Sequence, residues 1–284
     1  MKQTFVSPPV FHFSIFFLAL FSGLCSAAEP TYSPYVGEDF PRQVYWGDTH
    51  LHTSWSVDAA VLGRTRLPPE SAYRFARGEQ VTATNSMPVK LARPLDFLVI
   101  SDHAEYLGLM QQIQRADPLL LGTDQGRSWY ELFQQGQEGI QTALMEILQG
   151  LAQPDKIGSS ELRRNVWTQV TANADRFNQP GKFTAFIGYE WTNSMDDGSN
   201  LHRNVIFRDS AGRADKILPF RAQDSLDPED LWGFLEQYEQ ATGGQVLAIP
   251  HNGNLSNGLM FLDKRHNGEP FTRAYVQRRA RWEP

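Results

Sequence analysis

The sequence predicts an α/β fold, and three observations carry that prediction. Short apolar runs bounded by turn residues recur at Val44 to Trp46, Leu95 to Ile100, Phe183 to Tyr189, Val205 to Phe207 and Val246 to Ile249. Their apolarity is continuous rather than alternating, as in strands of a parallel sheet covered on both faces. Helical patterns with recognisable ends separate the runs, so strand and helix alternate along the chain.

Taken in order, Met1-Lys2, an apolar run from Phe11 to Leu24 and the small residues Ser26-Ala27-Ala28 read as a signal peptide over 1–28, which predicts a periplasmic or secreted protein. The alternative is an N-terminal membrane anchor, but the run is short, contains His12 and Ser14 and ends in a cleavage-like Cys25-Ser26-Ala27. A lipoprotein reading through Cys25 meets Leu24 where a small residue is expected. After residue 28 no segment of about 18 apolar residues follows, so no stable membrane span is expected once the signal is removed. The single cysteine lies in the signal, so the mature chain is expected to have no disulfide, thiol nucleophile or thiolate-bound zinc.

Residues 29–43 are rich in Pro, Tyr and Gly without periodicity and read as a flexible lead-in, with the ordered domain over 44–284. Pro68-Pro69-Glu70 to Arg77-Gly78 reads as a short helix. Ser160-Glu161 opens a longer one with Leu162, Val166, Trp167, Val170, Ala174 and Phe177 on one face. Asp227-Pro228-Glu229-Asp230 combines an N-cap, a first-turn proline and first-turn acids, and Gly243-Gly244 closes that helix before Val246. The stretch 107–177 is helical throughout. It reads either as an inserted cap or as crossover helices, although roughly 70 residues exceeds what one crossover requires.

The chain has 284 residues, 26 Lys+Arg against 32 Asp+Glu and a net charge of −6, which argues against a nucleic-acid partner. No G-x-S-x-G, G-x-x-x-x-G-K-[ST] or G-x-G-x-x-G element occurs, so serine-hydrolase, P-loop and dinucleotide chemistries lose their main support. Histidine placement points elsewhere. His50 and His52, His103 and His251 follow strand runs, and His202 precedes one. In α/β folds the carboxyl ends of parallel strands share a rim, so these residues would converge.

His50-Leu51-His52 sends both imidazoles to one side of an extended chain, where two ring nitrogens can hold a divalent ion. Alone the pair reads equally as two hydrogen-bonded histidines. Asp48, Asp58 and Asp102-His103 give it company, as does Glu190 at the end of Phe183 to Tyr189. A carboxylate there costs several kcal/mol to bury unless it is paired or bound to a cation. Imidazole mixed with carboxylate suits zinc, manganese or iron. His266, before Asn267-Gly268, reads as a turn residue.

Gly47-Asp48-Thr49-His50-Leu51-His52-Thr53, Ile100-Ser101-Asp102-His103, Gly188-Tyr189-Glu190 and Ile249-Pro250-His251, in that order, resemble the motifs of the PHP (polymerase and histidinol phosphatase) superfamily. Tyr45-Trp46-Gly47-Asp48, His202 to Asp209 and Pro250 to Asn254 are similar to a bacterial family within it that is known only as a domain of unknown function. The resemblance covers about 44–284. It implies a distorted β/α barrel, up to three divalent ions (Zn, Mn or Fe) and phosphoester hydrolysis of a small-molecule substrate.

By the same resemblance, His50 and His52 hold a first ion, Glu190 bridges it to a second completed by His202 and His251, and His103 with Asp58 serves a third. Asp58 departs from the commoner pattern. Nothing after His251 matches the superfamily's late Asp-x-His motif, which predicts a barrel incomplete at its C-terminal side, with fewer ligands for the first and third ions and an open edge. Asp102 is expected beside His103 as a proton-handling or supporting residue. Arg203 is expected as an anion contact. The alternatives are an amidohydrolase, which wants a metal-bridging lysine that no strand run here ends on, and a metal-binding fragment without turnover.

Overall fold

The computed structural model describes residues 43–150, 155–157, 159–195 and 197–284. The expected signal and nearly all of the lead-in lie outside the described residues. From Tyr45 onwards the chain forms one compact unit.

Strand β1 is Gly47–Leu51, not Val44 to Trp46. The apolar triplet fails as a strand because its side chains stay exposed, while Trp46 meets the sheet only through its backbone. Its N–H donates to Asp96 Oδ2 and its carbonyl accepts from Asp96 N–H, each at 2.7 Å. Pairing proper starts at Gly47, opposite Phe97, where an added Cβ would stand 2.4 Å from the Phe97 carbonyl oxygen. Only glycine permits that approach.

Helices α1 (Val57–Val61) and α2 (Pro69–Ala76) and a small antiparallel pair, β2 (Val81–Thr82) with β3 (Pro88–Val89), lead to β4 (Phe97–Ile100). Four helices follow, α3 (Leu109–Gln114), α4 (Pro118–Leu121), α5 (Asp124–Gln134) and α6 (Gln137–Gln149). Then come α7 (Ser160–Phe177), β5 (Thr184–Trp191), β6 (Arg203–Phe207), α8 (Ala211–Ala214), α9 (Pro228–Thr242), β7 (Val246–Pro250) and α10 (Arg273–Trp282).

The main sheet has the order β1-β4-β5-β6-β7. β1, β4 and β5 are parallel, but β6 is antiparallel to both β5 and β7. The all-parallel expectation is therefore corrected at β6, which follows β5 through a connection too short for a crossover helix. Four spacings of about 4.8 Å would set the edges of a flat sheet roughly 19 Å apart. Yet His50 on edge strand β1 and His251, just past edge strand β7, have ring centroids 4.0 Å apart. Asn204 on β6 also donates to the Thr49 carbonyl of β1 at 2.9 Å. The sheet is curled into half a barrel.

Within 107–177, α7 and the four helices before it pack against different partners. α7 is the crossover helix: Ser159 caps it through Leu162 N–H, and Val166, Trp167, Val170 and Ala174 pack on the sheet with Tyr189, Phe207 and Trp232. Helices α3 to α6 instead gather their own core of Leu109, Ile113, Leu120, Trp129, Ala143 and Ile147. α9 has the expected cap, with Asp227 Oδ1 accepting from Glu229 N–H at 2.8 Å and Gly243 ending it in the left-handed region.

Gly47→Ala is expected to destabilise the protein by about 1–3 kcal/mol, the usual cost of forcing extra volume into a packed site. A lowered urea midpoint at unchanged slope checks this.

Candidate metal centre

The reversal of β6 explains why His202 precedes its strand. The carboxyl ends of β1, β4, β5 and β7 and the amino end of β6 lie at one rim of the sheet. Each of the five strands therefore delivers a polar side chain to the same place. Glu190, at the end of β5 and fully buried, sits in the middle.

Around Glu190, His52 Nε2 lies 2.5 Å and His50 Nε2 3.3 Å from Oε2, and His103 Nδ1 lies 3.7 Å from the same oxygen. Oε1 faces His202 Nδ1 at 2.6 Å and His251 Nε2 at 2.7 Å. Asp58 forms a second pole, with Oδ2 2.9 Å from His52 Nδ1 and 3.7 Å from His103 Nε2. Seven expected ligands thus meet in one cluster. Six of them make up three overlapping groups whose ligand atoms lie within 4.8 Å of one another, namely His50, His52 and Glu190; His52, Asp58 and His103; and His103, Glu190 and His202; His251 joins through Glu190.

The electrostatics follow from burying both signs together. Burial opposes ionisation of Glu190, but the surrounding imidazoles outweigh it and hold the carboxyl well below its ordinary range. Asp58 is likewise held low by His103 and His52 against its burial. Burial lowers the affinity of His52 for a proton, and Asp58 and Glu190 overcome this and raise it to about 10. His103 moves up for the same reasons, whereas for His202 burial prevails and moves it down.

The donor set fits a divalent cation. His52 Nε2 is buried 2.5 Å from Glu190 Oε2, and His251 Nδ1 is buried without a hydrogen-bond partner among the described residues. Ring nitrogens and carboxylate oxygens converging within 4.8 Å of one another are the donors such an ion takes.

Two expected residues stand elsewhere. Asp102 does not accept from His103. Its oxygens take the Thr53 N–H at 2.5 Å and the Thr53 hydroxyl at 2.7 Å, which fixes the turn just after His52. Burial raises its pKa to about 6, opposed by those two bonds. Arg203 faces away from the cluster: Glu190 registers with Asn204, and Arg203 with Trp191 on the opposite face. Its guanidinium is buried, 3.0 Å from Glu283 Oε1 and 5.7 Å over Trp191, so it anchors the end of α10 and contacts no anion at the rim.

Ser56 and Thr192 escaped the sequence reading. Ser56 Oγ donates to Asp58 Oδ1 at 2.6 Å and accepts from His103 N–H at 3.2 Å. Thr192 Oγ1 is hydrogen-bonded to His103 Nδ1 at 2.5 Å. Their one signal is spacing: each lies two residues from a carboxylate of the cluster, Ser56 as the residue that leads into α1 before Asp58 and Thr192 just past β5 after Glu190. His266 is exposed, as expected of a turn residue.

The profile of a family described as Protein of unknown function (DUF3604) matches residues 39–284. The chain belongs to that family. No curated protein and no solved structure matches it. In this DUF3604 member the matched region includes all seven clustered residues and also Asp102 and Arg203.

Glu283→Ala is expected to cost about 3–5 kcal/mol in thermal or chemical denaturation by leaving the Arg203 guanidinium buried without its partner. Arg203→Met with Glu283→Leu is expected to recover most of that loss.

Proposed function

We propose that this DUF3604 chain is a metal-dependent hydrolase of phosphate esters, its half barrel of the PHP type. The observation that carries the reading is the buried carboxylate of Glu190, with ring nitrogens of His50, His52, His202 and His251 at 2.5 to 3.3 Å. His50, His52 and Glu190 would hold a first ion, Glu190, His202 and His251 a second, and His103 with Asp58 a third. Zinc, manganese and iron all suit these donors. Such ions, when bound, lower the pKa of coordinated water from about 15.7 towards 7 and neutralise charge developing on ester oxygens.

The chain's own residues orient this set. Asp58 accepts from His52 Nδ1, which leaves Nε2 free to ligate. Asp102 holds Thr53 and so the end of the His-x-His segment. A carboxylate, Glu190, stands at the centre of the cluster, where an amidohydrolase would want a lysine, and this favours the phosphoesterase reading. The substrate is proposed as a small-molecule ester met in the periplasm or outside the cell. The reading includes no nucleic-acid partner.

Purified protein is expected to carry divalent metal, and His52→Ala and Glu190→Gln to lose most of it, as elemental analysis will show. Metal-loaded protein is expected to hydrolyse members of a panel of phosphate mono- and diesters, with sulfate and phosphonate esters included. Glu190→Gln is expected to cut the rate by more than the roughly 10–100-fold that an outer partner costs. Metal-loaded wild type inert on the whole panel would overturn the hydrolase and leave a metal-binding protein.

Metal uptake also competes with protons. Near neutral pH His52 is protonated in the metal-free site, its pKa being raised to about 10. Binding is therefore expected to release roughly one proton or more, and affinity to rise with pH and collapse under acid. Calorimetry in buffers of different ionisation enthalpy measures the proton count.

A further inference from the structure

We infer that Thr192 is a positioning residue that fixes the ring of His103, so that Nε2 is the nitrogen His103 offers to an ion shared with Asp58. The inference rests on the metal reading above and adds a residue to it. Thr192 lies two positions after Glu190, so both side chains project from the same side of the β5 end towards His103. They compete for one ring nitrogen: Nδ1 lies 2.5 Å from Thr192 Oγ1 and 3.7 Å from Glu190 Oε2. The shorter contact is a hydrogen bond and the longer one is not.

With Nδ1 committed to the hydroxyl, Nε2 is the nitrogen left to ligate, and it faces Asp58 Oδ2 at 3.7 Å. That separation exceeds a hydrogen bond, yet it suits two donors each roughly 2.0–2.1 Å from one ion. The backbone of His103 is held independently of Thr192. Its N–H donates to Ser56 Oγ at 3.2 Å, and the next N–H, of Ala104, donates to the Glu190 carbonyl at 2.9 Å. What Thr192 adds is control of ring rotation and of which nitrogen carries the proton.

Thr192 is itself held. Its N–H donates to Glu105 Oε1 at 3.4 Å, and the same oxygen accepts from Ala222 N–H at 2.7 Å. Glu105 has no exposed surface. The buried acid thus ties the segment after β5 to the loop before α9, and the hydroxyl of Thr192 is presented to His103 from a fixed backbone.

The test compares wild type, Thr192→Val, which removes the hydroxyl at constant shape, and Thr192→Ser, which restores it. Long-range proton–nitrogen correlation spectra of the histidine rings, with His103→Gln for assignment, report the tautomer in metal-free and zinc-loaded protein. Competition with a chelator reports zinc affinity and stoichiometry. In the neutral ring, reached in the zinc-loaded protein and at alkaline pH in the metal-free protein, wild type and Thr192→Ser are expected to show His103 protonated at Nδ1. Thr192→Val is expected to lose that signature and to bind its weakest zinc about 10–100-fold less tightly, the usual cost of removing an outer partner, with the remaining zinc retained. Identical His103 spectra and zinc affinities in wild type and Thr192→Val overturn the inference, as does a Thr192→Ser variant that behaves like valine. If no variant binds zinc, the metal reading fails, and the metal-free spectra still decide whether Thr192 sets the tautomer.

Discussion

An ionised carboxylate fully withdrawn from water is the constraint on which this structure turns. Burying Glu190 without compensation would cost several kcal/mol, comparable to much of the stability of a domain. Compensation arrives from every other strand of the sheet: His50 from β1, His103 from the end of β4, His202 from the start of β6 and His251 from the end of β7. β5 is the central strand, so the sheet has to curl for its edge strands to reach the carboxylate. The 4.0 Å approach of the His50 and His251 rings and the Asn204–Thr49 hydrogen bond are two measures of that curl.

The opposite face of the same strands is apolar. Tyr189, Trp191, Val205 and Phe207 alternate with Glu190 and Asn204, and they pack beneath α7 and α9. Arg203 is the exception on that face, and it is balanced by Glu283, which also accepts from Trp232 Nε1 at 2.9 Å. Charge is therefore matched locally on both sides of the sheet. The imidazoles in turn are steadied by groups that never reach the centre of the cluster: Asp102 through Thr53, Ser56 through Asp58, and Thr192 directly.

Much of this was legible in the sequence. Continuous apolar runs marked β4, β5, β6 and β7, and caps marked α7 and α9, because those signals are local. The direction of β6 was not legible: an apolar run looks alike whichever way it is traversed, and the loop before it carries no helix to force a parallel return. β1 was misplaced by three residues because hydrophobicity favoured Val44 to Trp46, whereas the backbone approach that starts the strand depends on the absent side chain of Gly47.

The site was legible where function was concentrated in residue types with few other uses. Histidines at strand ends and one misplaced-looking glutamate identified the cluster. Adjacency in sequence says nothing about the face on which a side chain emerges: Asp102 supports the segment through Thr53 rather than through His103, and Arg203 shares the face of Trp191, away from the rim. Thr192 and Ser56 were missed because hydroxyl side chains are common, and only coordinates separate a ring-holding threonine from any other.

The second apolar core, built on α3 to α6, has a mechanical consequence. α7 joins it to the sheet, with Leu162 packed into the helical core and Val166 into the sheet core one turn later. α1, which carries Asp58, also packs into the helical core through Val57, and Gly108 N–H donates to the Trp55 carbonyl at 2.8 Å, so the helical flank is tied to the rim at more than one point. Loosening of the helical flank would therefore be felt at Asp58, one residue beyond Val57, and through it at His52 and His103.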